Sequence, residues 1–318
     1  MKHLFLFLIF NVFCVKMIAQ AEITENEIKS HIQFLTSDEN GGRPSGGKQN
    51  KRIANYIKKE FKKTEIKALK KGYKQFFKAA LRVEKGVEKK PVVKTCNVIG
   101  FIEGNDPDLK NEYIVLGAHY DHLGLGGPSA KSDKRGVVYH GADDNASGTS
   151  ALLEIAEKLA SQKEQLKRSV LFIAFGAEEQ GLLGSKYFVE HPIIPLSQIK
   201  LMINMDMVGR LNAEKQVYMG GAGTFPDGVD FMNYLGKSLD LNPVVHAGSV
   251  GGSDHVSFYK KGISVLGMHT GGHPQYHTPE DTLDLINLEG EKWVCEYIFQ
   301  TILKKASSKD TIYFIKQD

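Results

Sequence analysis

Tyr113-Ile114-Val115-Leu116-Gly117-Ala118-His119-Tyr120-Asp121 decides the reading of the fold. A short apolar run is followed by two small residues and then by a histidine and an aspartate, which reads as a buried strand ending in ionisable side chains. The same grammar recurs along the chain. Val170 to Phe175 runs into Gly176-Ala177-Glu178-Glu179, and Leu201-Met202-Ile203 runs into Asn204-Met205-Asp206. Ile263 to Leu266 is followed by His269 and then by Tyr276-His277, while Asn97 to Ile102 supplies a fifth apolar run. Helical patterns at Ser147 to Ala160, Leu182 to Glu190, Gly228 to Leu239 and Leu288 to Lys304 lie between or after these runs. The alternation predicts an α/β fold with three α/β/α layers and a mixed, mostly parallel sheet. In such a sheet ligands bind outside the carboxyl ends of the strands, where the ionisable residues stand.

Upstream of the strands, Thr24 to Leu35 has helical pattern, with Thr24 and Glu27 at the spacing of a capping box. A turn containing Gly41, Gly42, Gly46 and Gly47 then leads into a Lys-rich helix. Met1-Lys2-His3 followed by the apolar run Leu4 to Val15 reads as a signal peptide, with an uncleaved anchor as the alternative that the shortness of the run disfavours. The expectation is therefore a signal peptide over 1–20, a single catalytic domain over 21–318, and export to the periplasm or the extracellular space. Cys14 lies in the signal, leaving Cys96 and Cys295, which do not make a disulfide framework.

The formal charge of +4 on 318 residues conceals an uneven distribution. Between Lys48 and Lys94 there are 17 Lys or Arg against 4 acidic residues, a local charge of +13, so the rest of the mature chain is acidic. Ile53, Ile57 and Phe61 recur at helical spacing, which puts Lys51, Lys58, Lys59, Lys62 and Lys63 largely on the opposite face. A solvated helix face is favoured over an anionic partner, and no nucleic-acid partner is expected.

Five donors, His119, Asp144, Glu179, Asp206 and His277, come to one sheet edge from separate segments. Crowded carboxylates repel unless a cation holds them, and imidazole with carboxylate but no thiolate suits zinc, with manganese or cobalt as alternatives and calcium disfavoured. Two ions suit the count better than one: a bridging carboxylate with two further ligands per metal uses all five.

Gly141-Ala-Asp-Asp144-Asn-Ala-Ser-Gly148, Phe175-Gly-Ala-Glu178-Glu179-Gln-Gly-Leu-Leu-Gly-Ser185, Asn204-Met-Asp206-Met-Val-Gly209 and Tyr276-His277-Thr-Pro-Glu-Asp281 join the His119-Tyr-Asp121 block. Together they resemble the signature blocks of the secreted di-zinc aminopeptidases, whose fold is shared by glutamate carboxypeptidase II and the glutaminyl cyclases. The resemblance runs from about Glu27 to the C-terminal helix. It implies that Asp144 bridges two Zn²⁺, with His119 and Asp206 completing one site and Glu179 and His277 the other. It implies Glu178 as general base, Tyr276 as donor to the developing oxyanion, and Asp121 as the partner that fixes the His119 imidazole. It implies a cis peptide between Asp144 and Asn145, and a support role for Ser253-Asp254-His255. The implied activity is hydrolysis of the N-terminal peptide bond of peptide substrates.

Two rivals share these residues. Glutaminyl cyclase chemistry needs one zinc, whereas His119 and Asp206 stand where the second site is completed, and Tyr276 stands where cyclases tend to have Trp. A zinc-binding receptor domain without catalysis would have lost Glu178 or a ligand. His122 and His140 match no family ligand position and read as surface or supporting residues. Asn145-Ala146-Ser147 fits a glycosylation sequon but falls inside the expected metal loop.

Overall fold

The computed structural model describes residues 20–69 and 72–317, so the signal-peptide reading lies outside the described residues apart from Gln20. The chain opens with α1 (Glu25–Leu35), capped by Thr24, whose hydroxyl oxygen accepts the Glu27 N–H. Helix α2 (Gly47–Lys63) follows, burying Ile53, Ala54, Ile57 and Phe61 and turning its lysines outward, as the spacing predicts.

Strands β1 (Lys74–Ala80), β2 (Val92–Ile102), β3 (Tyr113–His119), β4 (Ser169–Phe175), β5 (Ile199–Met205), β6 (Gln216–Gly220), β7 (Asn242–Val245) and β8 (Ser264–His269) form one sheet in the order β1-β2-β4-β3-β5-β8-β6-β7. The central block β4-β3-β5-β8 is wholly parallel. The antiparallel pairings flank it at β1–β2, β2–β4 and β6–β8, so the sheet is mixed with a parallel centre. Strands β1, β6 and β7 do not figure in the sequence reading.

Each central strand is buried on both faces, and its residues alternate between two cores. Val170, Phe172 and Ala174 of β4 enter a large cluster with α1, α2, α3 (Gly148–Ser161), α5 (Gly228–Ser238) and α7 (Leu288–Ser307). Leu171, Ile173 and Phe175 enter a second cluster with α4 (Leu183–Glu190) and α6 (His255–Tyr259). Period-2 alternation into two apolar layers is what places helices on both faces. Burying each of these larger side chains contributes about 1.5–3 kcal/mol, and a central strand supplies several.

Cys96 and Cys295 are both buried and unpaired. Among the described residues, no helix is long and apolar enough to cross a membrane.

Candidate metal centre

The parallel block delivers its carboxyl ends to a single edge. His119 is the last residue of β3, aligned with Phe175 at the end of β4, and Glu178 and Glu179 follow that strand. Asp206 follows β5, and His277 lies on the segment after β8. Asp144 comes from the irregular turn 142–147 that enters α3, and its peptide bond to Asn145 is cis, as the resemblance implies. Gly141 makes that turn at φ +57; a Cβ there would stand 2.2 Å from the Asp144 carbonyl oxygen and 2.5 Å from the His122 ring.

The five donors converge. His119 Nε2 stands 3.3 Å from Asp144 Oδ1 and 3.3 Å from Asp206 Oδ1. His277 Nε2 stands 3.0 Å from Asp144 Oδ2 and 3.3 Å from Glu179 Oε2. Asp144 thus offers one oxygen to each imidazole. His119, Asp144 and Asp206 form one cluster of convergent donor atoms, and His122, Asp144 and Glu179 form another, with Asp144 in both.

These residues fit zinc on two grounds. Donors about 2.0–2.1 Å from one tetrahedral zinc stand roughly 3.3 Å apart, close to the separations found here. The histidine tautomers also agree: His119 Nδ1–H donates to the Asp121 carbonyl oxygen at 3.1 Å and His277 Nδ1–H to the Ser129 carbonyl oxygen at 2.8 Å. Each ring is thereby fixed with Nε2 facing the carboxylates, where it takes up either a proton or a cation.

The electrostatics ask for positive charge at the same place. Burial pushes the Glu179 carboxyl up, as does Asp144, yet the hydrogen bonds from His122 and His277 outweigh both and hold it down to about 2. Burial pulls His277 down, but its bonds to Asp144 and Glu179 raise it to about 10. Glu178 behaves oppositely. Burial drives its carboxyl well above the ordinary range, with His119 opposing and Glu179, Asp254 and Asp206 adding to the rise. Adjacent glutamates thus divide into one held as a carboxylate and one inclined to carry a proton.

The sequence profile of peptidase family M28 matches residues 97–302. The chain belongs to peptidase family M28. It is 34% identical over 213 residues to aminopeptidase YwaD of Bacillus subtilis, covering 61% of this chain and 41% of that protein. It is 32% identical over 185 residues to leucine aminopeptidase 2 of Trichophyton rubrum, covering 56% of this chain and 34% of the relative. These alignments span less than half the length of either relative. Among solved structures, BSAP, a zinc aminopeptidase from Bacillus subtilis, superposes with a TM-score of 0.70 at 18% identity, covering 93% of this chain and 98% of that one. Porphyromonas gingivalis glutaminyl cyclase superposes with 0.67 at 18% identity, covering 89% and 98%. At such identities the likeness speaks to the fold, which agrees with the α/β layers described above.

Around its donors the M28 chain builds supports that the sequence did not announce. Asp121 does not hold His119 through its carboxylate; its main-chain oxygen does that. The carboxylate instead accepts the Glu178 N–H at 2.9 Å and the Ser45 hydroxyl at 2.7 Å, fixing the turn that carries Glu178. Asp281 Oδ2 accepts the N–H groups of both Asp143 and Asp144 at 3.0 Å, while its Oδ1 receives Arg210 at 2.7 Å. Arg43, fully buried, donates to the carbonyl oxygens of Tyr120, His140, Gly141 and Asp144.

His122 is neither at the surface nor remote. Its Nδ1–H donates to Glu179 Oε1 at 2.9 Å and lies 3.9 Å from Asp144 Oδ2, with the ring buried. His140 lies apart from the donors, its Nδ1–H donating to the Thr36 carbonyl oxygen. Asn145 is buried, its side-chain amide donating to the Met205 carbonyl oxygen.

In this M28 chain the donors face a cleft of about 460 Å³ lined by His119, Asp144, Glu178, Asp206, Tyr276 and His277 on one side. Tyr276 stacks on His277 with centroids 3.8 Å apart. Asp254, buried near Glu178, is pushed up to about 7 by burial against the opposing pull of His119, and burial lowers neighbouring His255 to about 4. His255 lines the cleft, and Asp254 is buried beside it.

Proposed function

We propose that the chain is a metallo-aminopeptidase that hydrolyses the N-terminal peptide bond of peptides with two co-catalytic Zn²⁺. The observation that carries this reading is the sharing of Asp144 between two donor clusters beside Glu178. His119 and Asp206 would complete one site, and Glu179 and His277 the other, with His122 bracing Glu179. When bound, zinc would supply Lewis acidity, polarising the scissile carbonyl and acidifying water.

The chain's own residues account for the proton movements. Glu178 accepts a proton from the attacking water and hands it to the departing amine; it starts as a carboxylate, the form that bound cations would favour against the burial that raises its pKa. The Asp121 carboxylate keeps the Glu178 backbone in place. Tyr276 donates its hydroxyl proton in a hydrogen bond to the oxygen that gains charge in the tetrahedral intermediate. Acidic groups lining the cleft attract the free substrate amine, which favours cleavage at the N-terminus.

The N-terminal signal reading supports an exported protein whose residues 21–318 act as one catalytic unit. The structural likeness to a glutaminyl cyclase makes pyroglutamate formation the competing activity on this fold. The His119–Asp206 cluster favours hydrolysis, because it completes a second metal site. Release of chromophore from aminoacyl-anilides, set beside cyclisation of an N-terminal glutaminyl peptide and zinc content per chain, tests the reading. Anilide cleavage with two zincs is expected. Cyclisation alone, or zinc without either activity, contradicts it.

A further inference from the structure

Lys131 is the only Lys or Arg among the described residues lining the cleft. Its ammonium sits 4.2 Å from the centroid of the Tyr276 ring. The neighbouring loop lysine, Lys134, pairs with Glu280, whereas Lys131 has an aromatic face rather than a carboxylate as its partner. The backbone beneath it is fastened to the metal-binding segment from both sides. Lys131 N–H donates to the His277 carbonyl oxygen at 2.9 Å, and His277 Nδ1–H donates to the Ser129 carbonyl oxygen at 2.8 Å. Tyr139 ties the same loop down by donating to the Lys134 carbonyl oxygen at 2.7 Å.

The cleft is therefore bipolar. Asp144, Glu178 and Asp206 line it, and an ammonium with an unused hydrogen-bonding shell stands beside Tyr276. A cation over an aromatic face keeps its remaining N–H donors free for an anion. The geometry points to Lys131 as a recognition group for a carboxylate on the substrate, so that the cleft takes a short peptide bearing a free amine at one end and a carboxylate near the scissile bond. This inference rests on the aminopeptidase reading. The carboxylate has two sources, the C-terminus of a dipeptide or the acidic side chain of the second residue.

Two matched pairs separate these sources: Leu-Gly against Leu-Gly-amide, and Leu-Asp-amide against Leu-Asn-amide. The wild type is expected to favour the carboxylate-bearing member of at least one pair by about tenfold in kcat/KM, the scale of one charge-assisted hydrogen bond. Lys131→Met should bring that ratio close to one, mainly through KM, and Lys131→Arg should retain most of it. The pair that responds identifies the source. Equal kcat/KM within both pairs for the wild type, or a preference that survives in a folded Lys131→Met enzyme, overturns the inference and leaves the aminopeptidase reading standing. A fall of equal size for all four substrates also overturns it, since that marks support of Tyr276 rather than recognition. Failure of the wild type to cleave any of the four peptides or leucyl-anilide overturns both.

Discussion

The imidazole of His122 donates from Nδ1 to Glu179 Oε1 at 2.9 Å, leaving Glu179 Oε2 to face His277 Nε2 at 3.3 Å. One carboxylate is thereby held at both oxygens, and its orientation toward Asp144 is set by a residue 57 positions earlier in the chain. Such orienting contacts typically contribute 10- to 100-fold in metal affinity. His122→Leu should weaken zinc binding by about that factor, measured by competition with a chromophoric chelator. An unchanged affinity would mean that Glu179 needs no brace.

Arg43 acts on Asp144 from beneath. Its guanidinium donates to the carbonyl oxygens of Tyr120, His140, Gly141 and Asp144, joining the turn after β3 to the turn before α3. Burial lowers its pKa to about 10, partly offset by Asp144, Asp281, Asp121 and Glu179, so it remains charged at neutral pH. Removing it strands several buried acceptors at once. Arg43→Met should lower the unfolding free energy by about 3 kcal/mol or more. Arg43→Lys should recover only part, because an ammonium cannot span the same fork of acceptors. Denaturant melts of the three proteins measure the difference.

Glu291 gives a prediction about pH. It is fully buried in the first turn of α7, neither carboxyl oxygen has a hydrogen-bond partner, and burial pushes its carboxyl well above the usual 4.5, with Asp143 and Glu154 adding to the rise. The folded chain therefore keeps a proton that the unfolded chain releases as pH rises through about 4.5, so this group's contribution to stability falls with rising pH above that point. Glu291→Gln should raise the Tm relative to wild type, by a margin that widens from pH 4.5 toward neutrality. Parallel melting curves across that range would refute the assignment.

Much of this architecture was legible because the central strands are apolar runs that end in chemistry. β3, β4, β5 and β8 were visible for that reason, and so was the gathering of His119, Asp144, Glu179, Asp206 and His277 at one sheet edge. Helix α2 was legible despite its charge, since Ile53, Ile57 and Phe61 keep a strict stripe. The edges were not. β1 reads Lys-Gln-Phe-Phe-Lys-Ala-Ala, and its alternation of exposed and buried positions is masked by lysines and by the exposed Phe76. β6 and β7 are short, and β7 carries Pro243. The supporting reading of His122 holds, but its partner Glu179 was hidden, and Arg43 and Asp281 escaped altogether, because these contacts join residues tens of positions or more apart. No local spacing displays a bond from Arg43 to Asp144, or the use of the Asp121 main chain in place of its carboxylate.

Tyr276 tests the account of the oxyanion. Tyr276→Phe keeps the ring stacked on His277 and removes only the hydroxyl. kcat and kcat/KM should fall together by about 10²-fold, with zinc content unchanged, because the lost bond strengthens as charge develops. A rise in KM alone would reassign the phenol to substrate binding.

The central claim is that Glu178 moves the proton beside a metal pair held by its neighbours. The most direct measurement is kcat for leucyl-anilide hydrolysis by zinc-loaded Glu178→Gln, with zinc per chain determined on the same sample. Two zincs retained and turnover reduced by about 10²- to 10⁴-fold or more are expected of a lost general base. Turnover near the wild-type value with both zincs bound would contradict the account.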